Sequence, residues 1–304
     1  MKLKKFLVMV LSMAIVLGTT SFAVFAEGVT VDNNYQSPKT KVEVNISETP
    51  VHEVATKAEL EVAIATAEDK DTILLIADID YTGTASLEIN KPITLDLNEK
   101  TLTTNGTHGG LRLKGNCSLK NGTLAHKGTV SAIKAWNVET IENVVIDVAF
   151  KEEGKIIGGI VIQNVATNRI ETIKNVTIKG EGLTNGIETY NCGDATEDVI
   201  GLMENLTIDA KGVGMLISAP LGTATNCNVK GGTTGIELWI KGTYSAKLAL
   251  VDCDVEGGTQ ALYVHDELTS NPDAVNSGEL KLTADADTIF TSQSGKPLTY
   301  MNML

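Results

Sequence analysis

Two short segments recur along this chain with one average spacing, and this repeat limits the folds that the chain can adopt. The first is a small residue followed by alternating apolar residues, and it begins at positions 110, 132, 159, 186, 214, 235 and 261. The second is an Asn before a short β-branched segment, at positions 121, 143, 175, 205 and 226, with Asp252 in the same place. Two interleaved series with a shared period indicate a structural repeat.

Each repeat unit holds three short strands with period-two alternation, as in residues 203–218. The unit is too short for a propeller blade and carries no recurring amphipathic helix. One such coil cannot bury its inward residues alone, but stacked coils can when their strands pair in parallel. The sequence therefore predicts an all-β fold, a parallel β-helix of about 7–9 coils. The Asn series fits tight turns with φ > 0, where each amide can bond its equivalent one coil away.

The two ends of the chain predict its destination and its domain limits. Lysines at positions 2, 4 and 5 precede an apolar run and then small residues up to Ala26, which is typical of a cleaved signal peptide. We therefore expect a secreted, extracellular protein without a membrane span in the mature chain. Residues 27–54 are a linker or edge segment, and residues 55–304 are the β-helix, with a capping helix at about 56–68 and a C-terminal cap at about 278–304. Thr56 and Glu59 form the capping-box pattern of that helix.

These features resemble the pectin-lyase-like superfamily of right-handed parallel β-helices over about residues 55–290. The resemblance is carried by the capping-helix pattern, the entry coil at 96–102, the Gly-Ile strands and the Asn turns. It implies right-handed coils and, in the enzymes of the superfamily, a substrate groove on the outer face of the Gly-Ile sheet. Pectate lyases use an arginine as base, and this chain has only Arg112 and Arg169, neither expected beside an outward acid cluster. The Asp-Asp and Gly-His-Gly motifs of polygalacturonases do not occur.

The outer face of the Gly-Ile strands carries the candidate binding residues. If Ile236 and Leu238 point inward, Glu237 and Trp239 point outward, and the same parity applies to every coil. One outer column then reads Arg112, Lys134, Val161, Glu188, Leu216, Glu237 and Tyr263, and its neighbour reads Lys114, Trp136, Gln163, Tyr190, Ser218, Trp239 and His265. Aromatic rings suit the faces of sugars, and polar neighbours can bond hydroxyl groups. The predicted ligand-binding residues are Trp136, Tyr190, Trp239, His265, Lys134, Gln163 and Tyr263. The alternative is that neighbouring loops bury the aromatic side chains as a second core.

The candidates for catalysis are fewer. Glu188 and Glu237 stand two coils apart, at a backbone separation of about 10 Å that approaches the spacing of an inverting glycosidase pair. Leu216 lies between them, however, and Asp266 is the third candidate. The sequence therefore favours a non-catalytic carbohydrate-binding or cell-surface interaction protein, with a bacterial surface as its setting. The alternatives are a polysaccharide-degrading enzyme, either a glycoside hydrolase or a lyase, and a structural or adhesive solenoid that binds a protein partner.

Charge and cysteine content limit the partners. The formal net charge of −13 repels phosphate backbones, so we expect no nucleic-acid partner and instead a polysaccharide or cell-surface glycan, or a surface protein. No cofactor is predicted; calcium at Asp194, Glu197 and Asp198 is the alternative, although such an acidic turn is more often simply solvated. Cys227 and Cys253 take equivalent inward positions in successive coils, as a small apolar stack or as a strained disulfide. Cys117 and Cys192 have no obvious partner.

Overall fold

The computed structural model describes residues 49–83, 85–149, 155–163, 168–190, 195, 197–241, 245–267, 279–296 and 298–303. The chain divides into two units, Met1–Ser47 and Glu48–Leu304. The first unit, with the predicted signal peptide and most of the predicted linker, lies outside the described residues. Within the second unit, no described helix is long and apolar enough to cross a membrane.

One helix and 26 strands form the described part of the second unit. Helix α1 is Lys57–Thr66. The first thirteen strands are β1 (Val51–Val54), β2 (Thr72–Leu75), β3 (Ile79–Tyr81), β4 (Leu87–Ile89), β5 (Thr94–Asp96), β6 (Thr101–Thr104), β7 (Leu111–Leu113), β8 (Cys117–His126), β9 (Ile133–Ala135), β10 (Asn137–Val148), β11 (Gly158–Gln163), β12 (Arg169–Lys174) and β13 (Thr177–Lys179). The others are β14 (Asn185–Tyr190), β15 (Ile200–Glu204), β16 (Thr207–Ala210), β17 (Val213–Ile217), β18 (Pro220–Thr225), β19 (Asn228–Gly231), β20 (Thr234–Lys241), β21 (Ala246–Val251), β22 (Asp254–Gly257), β23 (Gln260–Glu267), β24 (Leu280–Ala284), β25 (Ile289–Ser292) and β26 (Leu298–Met303).

The strands stack in parallel as three ladders, which confirms the predicted parallel β-helix. A nine-stranded sheet runs from β4 through β7, β9, β11, β14, β17, β20 and β23 to β26, one strand per coil. The other two ladders form one 17-stranded sheet, because the long strands β8 and β10 belong to both ladders. The nine-stranded sheet is the predicted Gly-Ile sheet.

The core is a set of apolar columns inside the coils. One column follows paired positions on the 17-stranded sheet, all of them buried: Ile73, Leu95, Leu119, Ile141 and Ile173. Strands rich in Ile, Leu and Val favour this arrangement, because β-branched and apolar side chains pack densely on a pleated surface. The alternation of buried and exposed residues explains why the sequence alone predicts the inward set.

The predicted Asn series occupies one corner of the coils. All five of its asparagines have positive φ, between 52° and 56°, and Asp252 in the same place has φ 53°. Each amide from Asn143 to Asn226 donates to the amide oxygen one coil earlier, at 2.6–3.0 Å. The side-chain ladder predicted from the sequence is therefore confirmed.

The two ends of the solenoid differ. Helix α1 begins at the predicted capping box, in which Thr56 accepts from the backbone N–H of Glu59 and the Glu59 carboxylate accepts from that of Thr56. Leu60 and Ala63 of this helix are buried against the first strands. At the other end, the segment predicted as a cap, at about 278–304, contains a ninth coil of strands β24, β25 and β26. Its inward residue Phe290 is only partly buried.

Candidate functional site

The register of the nine-stranded sheet places the outward residues in the two predicted columns. Paired positions run from Arg112 through Lys134, Val161, Glu188, Leu216 and Glu237 to Tyr263. In the second column, Gln163 pairs with Tyr190 and Trp239 pairs with His265. The structure adds Glu88, which pairs with Arg112 one coil earlier and was not among the predicted site residues.

Four residues at the N-terminal end of this face form what we call the Trp136 cluster: Glu88, Arg112, Lys114 and Trp136. The Glu88 carboxylate binds the Arg112 guanidinium at 2.7 Å and the Lys114 ammonium at 3.0 Å. Both cations lie over the Trp136 ring, at 5.1 Å and 4.9 Å from its centroid. Arg112 therefore pairs with a single outward acid, whereas the sequence predicts only that it lies away from a cluster of acids. Neighbouring Lys134 has its pKa lowered by burial and by the charge of Arg112.

Four residues nearer the C-terminal end form the Trp239 cluster: Glu237, Trp239, Tyr263 and His265. Strand β20 carries the first two residues and β23 the last two, so the cluster spans two adjacent coils. The His265 Nδ1 lies 3.3 Å from a Glu237 carboxylate oxygen. The His265 ring stacks on Trp239 at 5.7 Å between centroids with 19° between planes, and it lies 5.7 Å from the Tyr263 ring.

The Trp239 cluster holds a carboxyl group largely out of water. The side chains of Glu237 and His265 are only 15% and 19% exposed. Burial raises the pKa of Glu237, and the hydrogen bond from His265 opposes this rise. Burial and the neighbouring Glu237 also raise the pKa of Tyr263, which keeps the phenol protonated at neutral pH. The His265 Nε2 is buried, and none of the described groups forms a hydrogen bond with it.

Glu188 occupies the same column as Glu237, two strands away. Leu216 separates the two acids, as the sequence predicts, so their backbones are about 10 Å apart. Burial raises the pKa of Glu188 as well, while a long hydrogen bond from Asn185, at 3.4 Å, opposes the rise. The face thus holds two partly desolvated carboxyl groups, of which only Glu237 pairs with a histidine among the described residues.

Several residues predicted on the outer face are buried or only partly exposed. Val161 is 6% exposed although it points outward. Ser218, placed in the outer column by the sequence, is buried just after β17, because its N–H and hydroxyl bond the hydroxyl and carbonyl of Thr189. Gln163 is partly exposed at the end of β11. The backbones of Tyr190 and Asp266 lie in β14 and β23, and their side chains lie outside the described set.

Two of the three acids of the calcium alternative form ion pairs. Glu197 lies 3.5 Å from Arg169, and Asp198 lies 3.2 Å from Lys247. Asp194 lies outside the described residues. The described part of the chain contains no group of three or more His, Cys, Asp or Glu side chains that could hold a metal ion.

Comparison with known proteins finds a similar solved structure. It is the crystal structure of an alginate lyase from Paenibacillus sp. str. FPU-7, with 12% sequence identity and a TM-score of 0.43 over 78% of this chain and 99% of that chain. No profile of a known protein family and no curated protein sequence matches the chain. At this TM-score the similarity carries no argument about activity, which leaves the geometry of the site to indicate the function.

Proposed function

We propose that this protein is a polysaccharide-cleaving enzyme, with His265 as its base, Glu237 as the partner that orients His265, and Tyr263 as its acid. The observation that carries the proposal is the hydrogen bond between a desolvated carboxylate and an imidazole whose other nitrogen is buried without a described partner. Holding a carboxyl group out of water costs free energy, and such groups cluster at catalytic sites. A surface used only for contact gains nothing from this cost.

The arrangement assigns a role to each group of the pair. When the Nδ1–H of His265 donates to Glu237, the lone pair is fixed on Nε2. Because Nε2 is buried, the ring or its neighbours must move before this atom can take a proton from a bound sugar or from water. Glu237 orients the ring and stabilises the imidazolium that forms. The phenol of Tyr263 is next to this ring and protonated, so it can supply a proton to the leaving oxygen.

The surroundings of this pair suit an elongated glycan. The Trp239 and Tyr263 rings offer apolar surface for the C–H faces of sugars beside the reacting groups. Nine strands at about 4.8 Å spacing give a face roughly 40 Å long, enough for several sugar units. The export predicted from residues 1–26 places this substrate outside the cell, as a free polysaccharide or a surface glycan.

A second candidate is carbohydrate binding without cleavage, the function that the sequence favoured. The continuous ring surface of Trp239, His265 and Tyr263 supports it, because stacked rings bind sugars without any proton transfer. Contact with a surface protein is the third outcome, expected if neither glycan binding nor cleavage is detected.

The test is an assay of the purified mature chain on a panel of neutral and acidic polysaccharides. New reducing ends report hydrolysis or elimination, and absorbance of unsaturated products reports elimination alone. Each assay is run with added calcium and with a chelator. We expect product from at least one polysaccharide, and none from the His265→Ala variant. Binding in a pull-down or titration without product would support the second candidate and overturn the first.

A further inference from the structure

The three described cysteines differ in their surroundings. All are buried and unpaired. Cys227 and Cys253 each follow the positive-φ residue at the Asn corner, in two successive coils. Because Asn228 pairs with Asp254, the two cysteines stand side by side across one strand spacing. That spacing, about 4.8 Å, falls within the Cα separations that disulfides span.

Both sulfur atoms lean toward the preceding coil, and the Cys227 Sγ lies 3.8 Å from the carbonyl oxygen of Met203, one coil before its own. The Cys253 Sγ lies 3.3 Å from the carbonyl oxygen of Ala224, which belongs to the coil of Cys227. It therefore extends back toward its neighbour instead of into the next coil. Interaction between the two neighbouring thiols lowers the pKa of Cys253 and raises that of Cys227. Cys117 is different, because Val138 occupies the equivalent place one coil later and burial raises its pKa to about 12.

We propose that Cys227 and Cys253 are a dithiol site that is oxidised to an intramolecular disulfide joining two coils. This pair has the two parts that exchange requires, an attacking thiol and a resolving thiol beside it. The predicted export would deliver the chain to a compartment in which disulfides persist.

The reaction balances with a small-molecule disulfide as oxidant. The Cys253 thiolate attacks one sulfur of that disulfide and expels the first small thiolate, leaving a mixed disulfide on Cys253. The Cys227 thiolate then attacks the Cys253 sulfur and expels the second. Two electrons pass from the cysteine pair to the oxidant, and the two protons of the cysteine thiols end on the two released thiols.

Access to the buried pair comes from the last coil. The backbone N–H of Cys253 donates to the Thr288 hydroxyl, and Ile289 donates to the Cys253 carbonyl. The residues that follow in strand β25 are only partly buried, so this coil opens at a lower free-energy cost than the inner coils. Opening it uncovers Cys253 first.

The cross-link would close the segment between residues 227 and 253, which contains the coil of Glu237 and Trp239. A disulfide across this segment limits the opening of the strand that carries half of the Trp239 cluster. We therefore expect oxidation to protect that coil, and this consequence is independent of what the site binds.

The test uses the reduced mature chain with glutathione disulfide, in two arms: the native protein, and protein refolded from urea. After alkylation and trypsin digestion, we expect the peptide that ends at Lys230 to be joined to the peptide that ends at Lys281, and dithiothreitol to separate them. The intact mass should fall by about 2 Da. The melting temperature should rise by roughly 5 °C or more.

Three variants serve as controls. Cys117→Ser should leave the cross-link unchanged. Cys227→Ser should trap a glutathione adduct on Cys253, and Cys253→Ser should abolish the cross-link. Full alkylation of Cys227 and Cys253 in both arms would overturn the proposal, as would a cross-link to Cys192 in place of either one.

Discussion

The first and last coils of this solenoid have the same strand pattern but differ in how their outward acidic side chains are paired. In the first coils, Glu88 neutralises Arg112 and Lys114, and both cations lie over Trp136. In the last coils, Glu237 is held out of water, with His265 as its hydrogen-bonding partner. In the Trp136 cluster, opposite charges neutralise one another around a tryptophan. In the Trp239 cluster, burial disfavours the ionised form of the Glu237 carboxyl group.

The two ends of the solenoid also differ in what covers them. Helix α1 covers the first coils, and the Asn ladder ends there on the Asp96 carboxylate, which accepts from Asn121 at 3.0 Å. The last coil has no described element stacked on it, and the ladder stops at Asp252, which has no amide to donate. The comparison indicates that the first coils stabilise the fold, and that the candidate chemistry lies where stabilisation is weaker.

The largest expected effect is a difference in cleavage rate between the Glu237→Gln and Glu88→Gln variants. Glu237→Gln should lower cleavage about 100-fold or more, because the amide cannot stabilise an imidazolium at His265. Glu88→Gln is the matched control: it removes a carboxylate from the same face and column, and should leave the rate within about threefold. Rates on a cleaved polysaccharide measure both variants. Equal losses would show that the two clusters do not differ in function.

The next largest effect is a loss of folding stability in the first coils at low pH. Burial lowers the pKa of His126 to about 4, and its Nδ1 lies 3.2 Å from the Thr104 hydroxyl. The unfolded chain binds this proton at a higher pH, so this contribution to stability is present above about pH 6.5 and is lost as the pH falls toward 4. The loss in free energy of unfolding is about 3 kcal/mol.

Urea unfolding between pH 7 and pH 4 measures this loss, and hydrogen exchange locates it. His126→Leu should flatten the pH dependence, while His108→Gln, at an exposed position in the same coils, should not change it. Exchange that rises first in the last coils as the pH falls would contradict the placement of this effect.

A smaller effect compares the two tryptophans. Trp136→Leu removes two cation–π contacts and should lower stability by about 1 kcal/mol, with glycan binding unchanged. Trp239→Leu removes the ring beside the reacting groups and should weaken glycan binding by about tenfold. Urea unfolding and binding titrations on both variants measure the difference. Equal weakening of glycan binding would mean that the whole column contacts the ligand.

Much of this fold could be predicted from the sequence, because period-two alternation and the Asn corner act locally. The inward residues, the positive-φ asparagines and the capping box follow from neighbouring residues alone. The outward columns also follow, since parity fixes which side of a strand each residue faces. The column that holds Trp136 and Trp239 can therefore be predicted from the order of residues along the chain.

The charge pairing on these columns could not be predicted. Glu88 precedes position 110, where the first repeat begins, so the repeat does not predict it as the partner of Arg112 and Lys114. The hydrogen bond from His265 to Glu237 depends on two side chains turning toward each other across strands, which parity does not determine. The burial of Ser218 depends on the chain leaving β17 after Ile217. Each of these depends on contacts between coils instead of on the pattern within one coil.

The smallest effect concerns the end of the Asn ladder. Asp252→Asn keeps the positive φ of the corner and adds an amide that can donate to the Asn226 oxygen, as the four earlier asparagines do. We expect the free energy of unfolding to rise by about 0.5–1 kcal/mol, the usual net worth of one hydrogen bond. Asn175→Asp is the reverse control, since it removes a donor from the middle of the ladder and should destabilise the chain by at least as much. Urea unfolding measures both variants. An unchanged free energy of unfolding in Asp252→Asn would mean that the last coils lack stability for a reason other than the missing amide, such as the last coil, on which no described element is stacked.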